Sequence, residues 1–245
     1  MEAEEYRRMA EVEHSHWWYD ASRKLLEQLL GEQAREGGRF LDVGAGTGAT
    51  GAWLAEHGDL VACDFMPVAL DFHRERHEGD QQAVGHVAAD AQRLPFADAS
   101  FDLVLCVTML CHQSIPRPQV VVDEIARVVR PGGLVCLWEP GVRRLWRAHD
   151  RETHSARRFA RSDLVEVLTD AGLTVERASG AYSFLVPPAA VKSVLERGES
   201  TSDLDRNQGG LGGLLGAAAA AERRTLRHVD LPAGLTVFAT ARAPE

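Results

Sequence analysis

Three glycines alternate with other residues just after a short apolar run, and this spacing constrains the chain more than any other feature. Gly44, Gly46 and Gly48 follow the residues 40–43, and a helix-like segment that ends at Gly58 comes next. Glycine is required in such a turn because the backbone must reach positive φ angles and must let a ligand lie against the main chain. The pattern predicts a strand, a ligand-binding turn and a helix.

Acidic residues then end successive apolar runs. Asp42 lies two residues before the first glycine, Asp64 follows the run 60–63, and Asp90 follows the run 87–89. Such acids suit a ligand with an ammonium group, ribose hydroxyls and an adenine amino group, namely S-adenosylmethionine. The glycine spacing by itself also fits the dinucleotide fingerprint, so an NAD(P)-dependent oxidoreductase is the alternative. Asp42 disfavours it, since dinucleotide sites usually have an apolar residue there.

Several further segments resemble the class I S-adenosylmethionine-dependent methyltransferases. Residues 94–104 and 127–133 look like the segments that precede the fourth and fifth strands of that family, so the likeness is dense over 40–140. His16–Tyr19 and the spaced histidines and arginines of 146–159 are similar to a bacterial subgroup. The resemblance implies a small-molecule methyltransferase of bacterial type that uses S-adenosylmethionine and belongs to secondary metabolism or glycan assembly.

Alternating strand-like and helix-like segments predict an α/β fold. Strand-like runs lie near 39–43, 59–64, 84–89, 101–107, 134–139, 173–178 and 234–241. Pro118 and Ser162 are predicted helix starts, and Gly172 a helix end. The resemblance implies a Rossmann-like, seven-stranded, mostly parallel sheet with helices on both faces and an antiparallel last strand. We expect a single domain that divides into an N-terminal helical cap (1–36), a cofactor-binding core (37–180), an insertion capping the substrate (181–233) and the last strand with its tail (234–245).

Composition excludes several classes of partner. The net charge of −9 argues against a nucleic-acid substrate, because proteins that follow phosphates carry a basic surface. The longest weakly apolar stretch, 211–221, is shorter than the about 20 residues that span a bilayer, and the acidic N-terminus lacks signal-peptide character. We therefore expect a cytoplasmic protein. The four cysteines are expected to be buried thiols, and no spacing indicates a metal site.

Ligands of open parallel sheets bind at the carboxyl ends of the strands, which places the acids and the glycine turn in one crevice. Asp64 is predicted to accept the ribose hydroxyls and Asp90 the adenine amino group. The resemblance implies that Arg23 pairs with the methionine carboxylate and that Val107 contacts the cofactor. The predicted cofactor-binding residues are Arg23, Asp42, Gly44, Ala45, Gly46, Gly48, Asp64, Phe65, Met66, Asp90, Ala91 and Val107.

Methyl transfer from a sulfonium mostly needs alignment of the acceptor with the methyl group. A base contributes about 10²- to 10⁴-fold to the rate. His112, His149 and His154 are the candidate bases. Seven arginines and two acids lie between Gly141 and Arg161, which indicates an anionic acceptor or else a solvated helical face. The predicted substrate-binding residues are Trp18, Tyr19, Glu139, Asp150, Arg157 and Arg158. The predicted function is methyl transfer to oxygen or carbon of a small polar or anionic metabolite, and the alternative is a non-catalytic module that binds the cofactor.

Overall fold

One seven-stranded sheet organises the chain. A computed structural model describes residues 3–76, 84–146, 150–151, 153–195 and 209–245. Its strands are β1 (Gly38–Val43), β2 (Gly58–Asp64), β3 (Val84–Ala88), β4 (Phe101–Val107), β5 (Val129–Pro140), β6 (Thr174–Ala181) and β7 (Thr236–Arg242). Their order is β3-β2-β1-β4-β5-β7-β6, with β1 to β5 parallel and β7 antiparallel to both neighbours. The predicted fold class is confirmed.

Helices connect the strands and cover both faces. They are α1 (Ala3–Val12), α2 (Trp17–Leu30), α3 (Pro67–Arg76), α4 (Pro118–Val128), α5 (Arg161–Asp170), α6 (Val186–Leu195) and α7 (Gly209–Thr225), with 3-10 helices at Ala52–Glu56 and Ser183–Leu185. The helix predicted after the glycine turn is wrong, because only the five-residue 3-10 helix forms there. Gly48 has a φ of 89°, which is incompatible with a helix, and few residues remain before β2.

The start of α5 also differs from the prediction. Ser162 is not its N-cap, because the helix already begins at Arg161. The N–H of Ala160 instead donates to Asp163 Oδ2 at 2.7 Å. The other two predicted helix boundaries agree with the structure, since Pro118 begins α4 and Gly172 follows α5 with a φ of 79°. The predicted strand near 134–139 is longer than expected, because β5 begins at Val129.

Alternate residues of the central strands point to opposite faces and form two cores. One face, with Val104 and Leu137, packs under α4 and α5; the other, with Leu103 and Trp138, packs under α2 and α7. The four cysteines are buried and free, as predicted. Within the described part of the chain, we find no helix that is both long and apolar enough to cross a membrane.

The carboxyl ends of β1 to β5 meet the start of β7 at one edge of the sheet, because β7 runs in the opposite direction. The N-terminal helices and α6 and α7 contribute residues to the cavity at this edge. Helices α6 and α7 belong to the predicted insertion 181–233, of which residues 196–208 lie outside the described ranges. The division of the chain into cap, core and insertion stays a prediction.

Candidate functional site

A cavity of about 730 Å³ lies at the carboxyl edge of the sheet. Its lining divides according to strand order, since β3, β2 and β1 lie on one side of β4 while β5 and β7 lie on the other. We call the first part, where the sequence predicts that the cofactor binds, the cofactor half; it is formed by residues 44–47, 64–66 and 89–92. The second part is the acceptor half, formed by Trp17, Trp18, Trp138, Pro188, Leu215 and Leu235.

The glycine turn is shaped by backbone angles that other residues rarely adopt. Gly44, Gly46 and Gly48 have φ values of 75°, 54° and 89°. A Cβ atom on Gly44 would lie 2.6 Å from Cγ of Met109, whereas a Cβ on Gly46 would meet nothing within 4 Å. The turn is therefore closed on the side of the β4 loop and open at Gly46, where a ligand can approach the main chain.

Asp64 connects the glycine turn to the loop after β2. Its Oδ2 accepts the N–H of Gly46 at 2.9 Å, and its Oδ1 accepts the N–H of Met66 at 2.9 Å. Burial raises the pKa of Asp64, and these two N–H groups lower it in part. Asp90 lies at the opposite wall, exposed, where it accepts the N–H of Gln92 at 2.9 Å. Both predicted acids therefore line the same cavity.

Five more of the predicted cofactor residues line the cavity beside Gly44, Gly46 and the two acids. They are Ala45, Phe65, Met66, Ala91 and Val107. Phe65 leaves 68% of its side chain exposed, which is unusual for an aromatic ring and places apolar surface at the cavity.

The structure does not bring Arg23 or Asp42 to the cavity lining. Arg23 pairs with Asp20 at 3.2 Å and approaches Glu27 at 3.9 Å, because these acids lie three and four residues away on α2. Asp42 is buried behind the turn, where a Cβ on Gly51 would lie 2.0 Å from its Oδ2. Burial, with a smaller contribution from Asp64, raises the pKa of Asp42 to about 7. Gly48 shapes the turn without lining the cavity.

The sequence analysis missed the residues that attach α1 to the site. Glu13, just after α1, is buried, accepts the hydroxyl of Thr47 and forms an ion pair with Arg76. Arg76 Nε also donates to the Thr47 carbonyl at 3.0 Å. Tyr6 and Met9 of α1 line the cavity with Glu13. Amphipathic spacing in 3–12 was the available signal, but it does not say which surface the helix covers.

Of the two candidate bases within the described residues, His112 is the one that lines the cavity. Its Nδ1 accepts the N–H of Ser114 at 3.1 Å and lies 2.7 Å from the Ser114 hydroxyl. The neutral ring therefore carries its proton on Nε2, which is buried and has no partner among the described residues. Burial is the main reason why the pKa of His112 is lowered. In this arrangement His112 is a hydrogen-bond donor.

Of the other two candidate bases, His154 does not line this cavity. His154 Nε2 lies 3.2 Å from Glu5 Oε1, and its Nδ1 lies 3.3 Å from Gln113 Nε2. The ring therefore bridges α1 and the loop after β4 instead of facing the cavity, and this corrects its predicted role. His149 lies outside the described residues.

Glu139 does not line the cavity, so the structure does not place it in the predicted substrate site. Its carboxylate accepts the backbone N–H groups of Met109, Leu110 and Cys111 at 3.1, 2.8 and 3.1 Å, and its side chain is fully buried. Burial raises the pKa of Glu139 to about 7 although these N–H groups oppose the shift. Glu139 therefore fixes the loop after β4. Trp18, by contrast, lines the cavity, as does Tyr19.

Contacts within the protein occupy both arginines that were predicted to attract an anionic acceptor. Arg157 lies away from the cavity lining and donates to the carbonyls of Leu110 and Ile115 at 2.8 and 2.5 Å. Arg158 lines the cavity but forms a bidentate pair with Asp150, at 2.9 and 3.0 Å, in which both side chains are buried. These two arginines are therefore already paired within the protein.

The described residues contain no group of three or more histidine, cysteine or acidic side chains arranged to hold a metal ion. Charged side chains also line the cavity. Four carboxylates and two cations line it, namely Glu13, Asp64, Asp90 and Asp150 with Arg158 and Lys192.

Comparison with known proteins agrees with the sheet order. Residues 41–137 match the family described as the methyltransferase domain. The chain is 35% identical over 157 residues to the biotin biosynthesis bifunctional protein BioHC of Cellvibrio japonicus, which covers 61% of this chain and 30% of that protein. It is 37% identical over 131 residues to the methyltransferase GfsG of Streptomyces halstedii, covering 51% and 46%. The chain thus spans less than half the length of these relatives.

Solved structures share the fold. The phosphoethanolamine N-methyltransferase 2 of Haemonchus contortus, solved in complex with S-adenosyl-L-methionine, superposes with a TM-score of 0.62. The superposition covers 92% of this chain and 53% of that one, with 19% sequence identity. At this identity the likeness concerns the fold alone.

Proposed function

We propose that this chain, a class I S-adenosylmethionine-dependent methyltransferase by its fold and by its match to the methyltransferase domain, transfers a methyl group to oxygen or carbon of a small-molecule acceptor. The observation that carries the proposal is the meeting of the open glycine turn, Asp64 and Asp90 in one cavity. These groups come from the ends of three adjacent parallel strands.

The residues present fit the cofactor. Gly46 leaves open space where any other residue would place a side chain, and Asp64 stands beside it as an acceptor for ribose hydroxyls. Asp90 and Ala91 suit the adenine ring at the β3 end of the cavity. The excess of carboxylates in the lining also favours a ligand with positive charge. S-adenosylmethionine supplies an activated methyl group on its sulfonium.

The protein contributes mainly alignment and exclusion of water. The acceptor half closes over the acceptor with aromatic side chains, and proximity of this kind accounts for much of the rate in bimolecular reactions. His112 lines the cavity, but its Nε2 is buried and its Nδ1 accepts the Ser114 N–H. Its ring would have to move before either nitrogen could contact the acceptor, so we assign no base to the reaction and let alignment carry it.

Calorimetric titration with S-adenosylmethionine and with NADH tests the cofactor assignment. Asp64→Ala should weaken S-adenosylmethionine binding by about 1.5 to 3 kcal/mol, which is the range for hydrogen bonds to a charged group. Asp59→Ala is the matched control, because Asp59 is exposed at the other end of the same strand. Asp64→Asn is a second variant. It keeps one oxygen that can accept a backbone N–H group of the turn, so it is expected to fold even if Asp64→Ala does not.

Each outcome of this experiment decides between the candidate functions. Binding of NADH in place of S-adenosylmethionine would overturn the proposal in favour of an oxidoreductase. Unchanged affinity in a folded Asp64→Ala protein would remove Asp64 from the site. If S-adenosylmethionine binds, release of S-adenosylhomocysteine on a panel of phenols, acids and enols measures transfer. Binding without release on the whole panel would favour a non-catalytic module.

A further inference from the structure

Three tryptophans form an aromatic wall of the acceptor half, and all three rings contact Tyr182. Trp17, Trp18 and Trp138 line the cavity, and Tyr182 lies beneath them. The ring centroids of Trp18 and Tyr182 are 4.3 Å apart, and those of Trp17 and Trp18 are 5.6 Å apart at an interplanar angle of 86°. Aromatic pairs at such separations add stability beyond their buried area.

Tyr182 is anchored by polar contacts, which makes the wall a preformed surface. Its hydroxyl lies 3.2 Å from the Ser22 Oγ of α2, and its backbone N–H donates to the Glu222 carboxylate of α7. The ring of Trp138 lies 6.2 Å from the same tyrosine. The anchoring residue thus joins α2, β5 and α7. Trp17 and Trp18 are half-buried and line the cavity, whereas Trp138 is only 2% exposed and supports them from the core.

Aliphatic side chains form the rest of this lining. Pro188 of α6, Leu215 of α7 and Leu235 before β7 face the same cavity. Each of these residues is only half-buried or exposed in the structure. Apolar surface of this kind gains free energy when a ligand covers it, at about 25 cal/mol per Å².

The charged side chains beside this half, Asp150, Arg158 and Lys192, each take part in an interaction within the protein. The three guanidinium nitrogens of Arg158 all donate within the protein, two to Asp150 and one to the Gly141 carbonyl at 2.9 Å. Lys192 also takes part in another interaction. A charged acceptor would lose its hydration here without a dedicated counter-ion, and that costs several kcal/mol.

We propose that the acceptor half binds a bulky, uncharged and largely apolar acceptor with an aromatic or polycyclic body. This inference rests on the proposed methyl transfer, since it names the class of molecule that receives the methyl group. The tryptophan wall stacks on the body of the acceptor, and the aliphatic lining contacts the rest of it.

Binding of a matched pair of probes tests the proposal. The full chain is saturated with S-adenosylhomocysteine, which fills the cofactor half, and is then titrated with 2-naphthol or with 2-naphthoate at neutral pH. Calorimetry and quenching of tryptophan fluorescence report binding. We expect 2-naphthol to bind at least about tenfold more tightly than 2-naphthoate and to show little dependence on salt.

Two variants of neighbouring leucines localise the binding. Leu215→Glu places a carboxylate in the acceptor half and should weaken 2-naphthol binding about tenfold or more. Leu214→Glu is the matched control on the same helix, because its side chain is 70% exposed. Trp18→Leu is a second variant that keeps apolar bulk but removes stacking, and it should weaken 2-naphthol without changing the affinity for S-adenosylhomocysteine.

The outcomes separate this inference from the proposed function. Failure of S-adenosylhomocysteine to bind the wild-type chain counts against the proposed function itself. If S-adenosylhomocysteine binds, then tighter binding of 2-naphthoate, absence of 2-naphthol binding, or wild-type affinity in Leu215→Glu overturns the apolar-acceptor proposal alone.

Discussion

The two halves of the cavity are built in different ways. In the cofactor half, the main chain sets the shape of the site, through positive φ angles at the glycine turn and backbone N–H bonds to Asp64. In the acceptor half, side chains from residues distant in sequence form the surface, including the tryptophan wall and the Asp150–Arg158 pair. A backbone-built site is fixed by local sequence, whereas a side-chain-built site can change its ligand by substitution.

The two halves also differ in how they relate to the matched domain. The cofactor half lies at the ends of β1, β2 and β3, within the residues 41–137 that match the methyltransferase domain. Most of the acceptor half comes from α2, α6, α7 and the start of β7, outside that match. Functional sites grafted onto a constant scaffold are a general feature of widespread folds.

Arg158→Ala should have the largest effect on stability. It leaves the buried Asp150 carboxylate without its counter-ion, and breaking a buried pair in this way costs about 3 to 5 kcal/mol. Arg143→Ala is the matched control, since Arg143 is exposed and its pair with Asp163 should contribute about 0 to 1 kcal/mol. Urea unfolding measures both, and equal losses would show that the Asp150–Arg158 pair does not support the acceptor half.

Gly44→Val tests the backbone-built half. The left-handed φ costs about 1 to 2 kcal/mol and the contact with Met109 about 1 to 3 kcal/mol more, so we expect a loss of about 2 to 5 kcal/mol and strongly weakened S-adenosylmethionine binding. Gly37→Val has nearly the same φ, 76°, with nothing near its Cβ. Gly37→Val should therefore lose only the about 1 to 2 kcal/mol that the left-handed φ costs, and it should keep the wild-type affinity for S-adenosylmethionine. Equal cofactor affinity in the two variants would contradict the role given to the turn.

Asp42→Asn should have the smallest effect, and its sign depends on pH. The folded pKa of Asp42, about 7, lies above the ordinary value of 3.8, so its contribution to stability is complete below about 3.8 and is lost as the pH rises through 7. At pH values above 7 the variant should gain about 1 kcal/mol or more relative to wild type. Asp59→Asn serves as the exposed control. Unfolding midpoints that shift equally with pH in wild type and Asp42→Asn would show that Asp42 is ionised throughout.

The sequence by itself determined the strands, the glycine turn and the position of Asp64 and Asp90 at strand ends. These features follow from local rules, because strand periodicity and turn chemistry depend on residues close together in the chain. The sequence did not predict that only a 3-10 helix forms after the glycine turn. That outcome depends on how few residues remain before β2.

Only the tertiary structure decided which polar side chains reach the cavity. Glu139 and Arg157 turn away to bind backbone groups of the loop 109–116, and Glu13 enters from a helix that no motif marked. The tryptophan wall likewise depends on Tyr182, which is 164 residues from Trp18 in the chain. Local patterns fix where a side chain stands on its own element. Its partners are fixed by the packing of elements that are distant in sequence, and burial requires each polar group to find one.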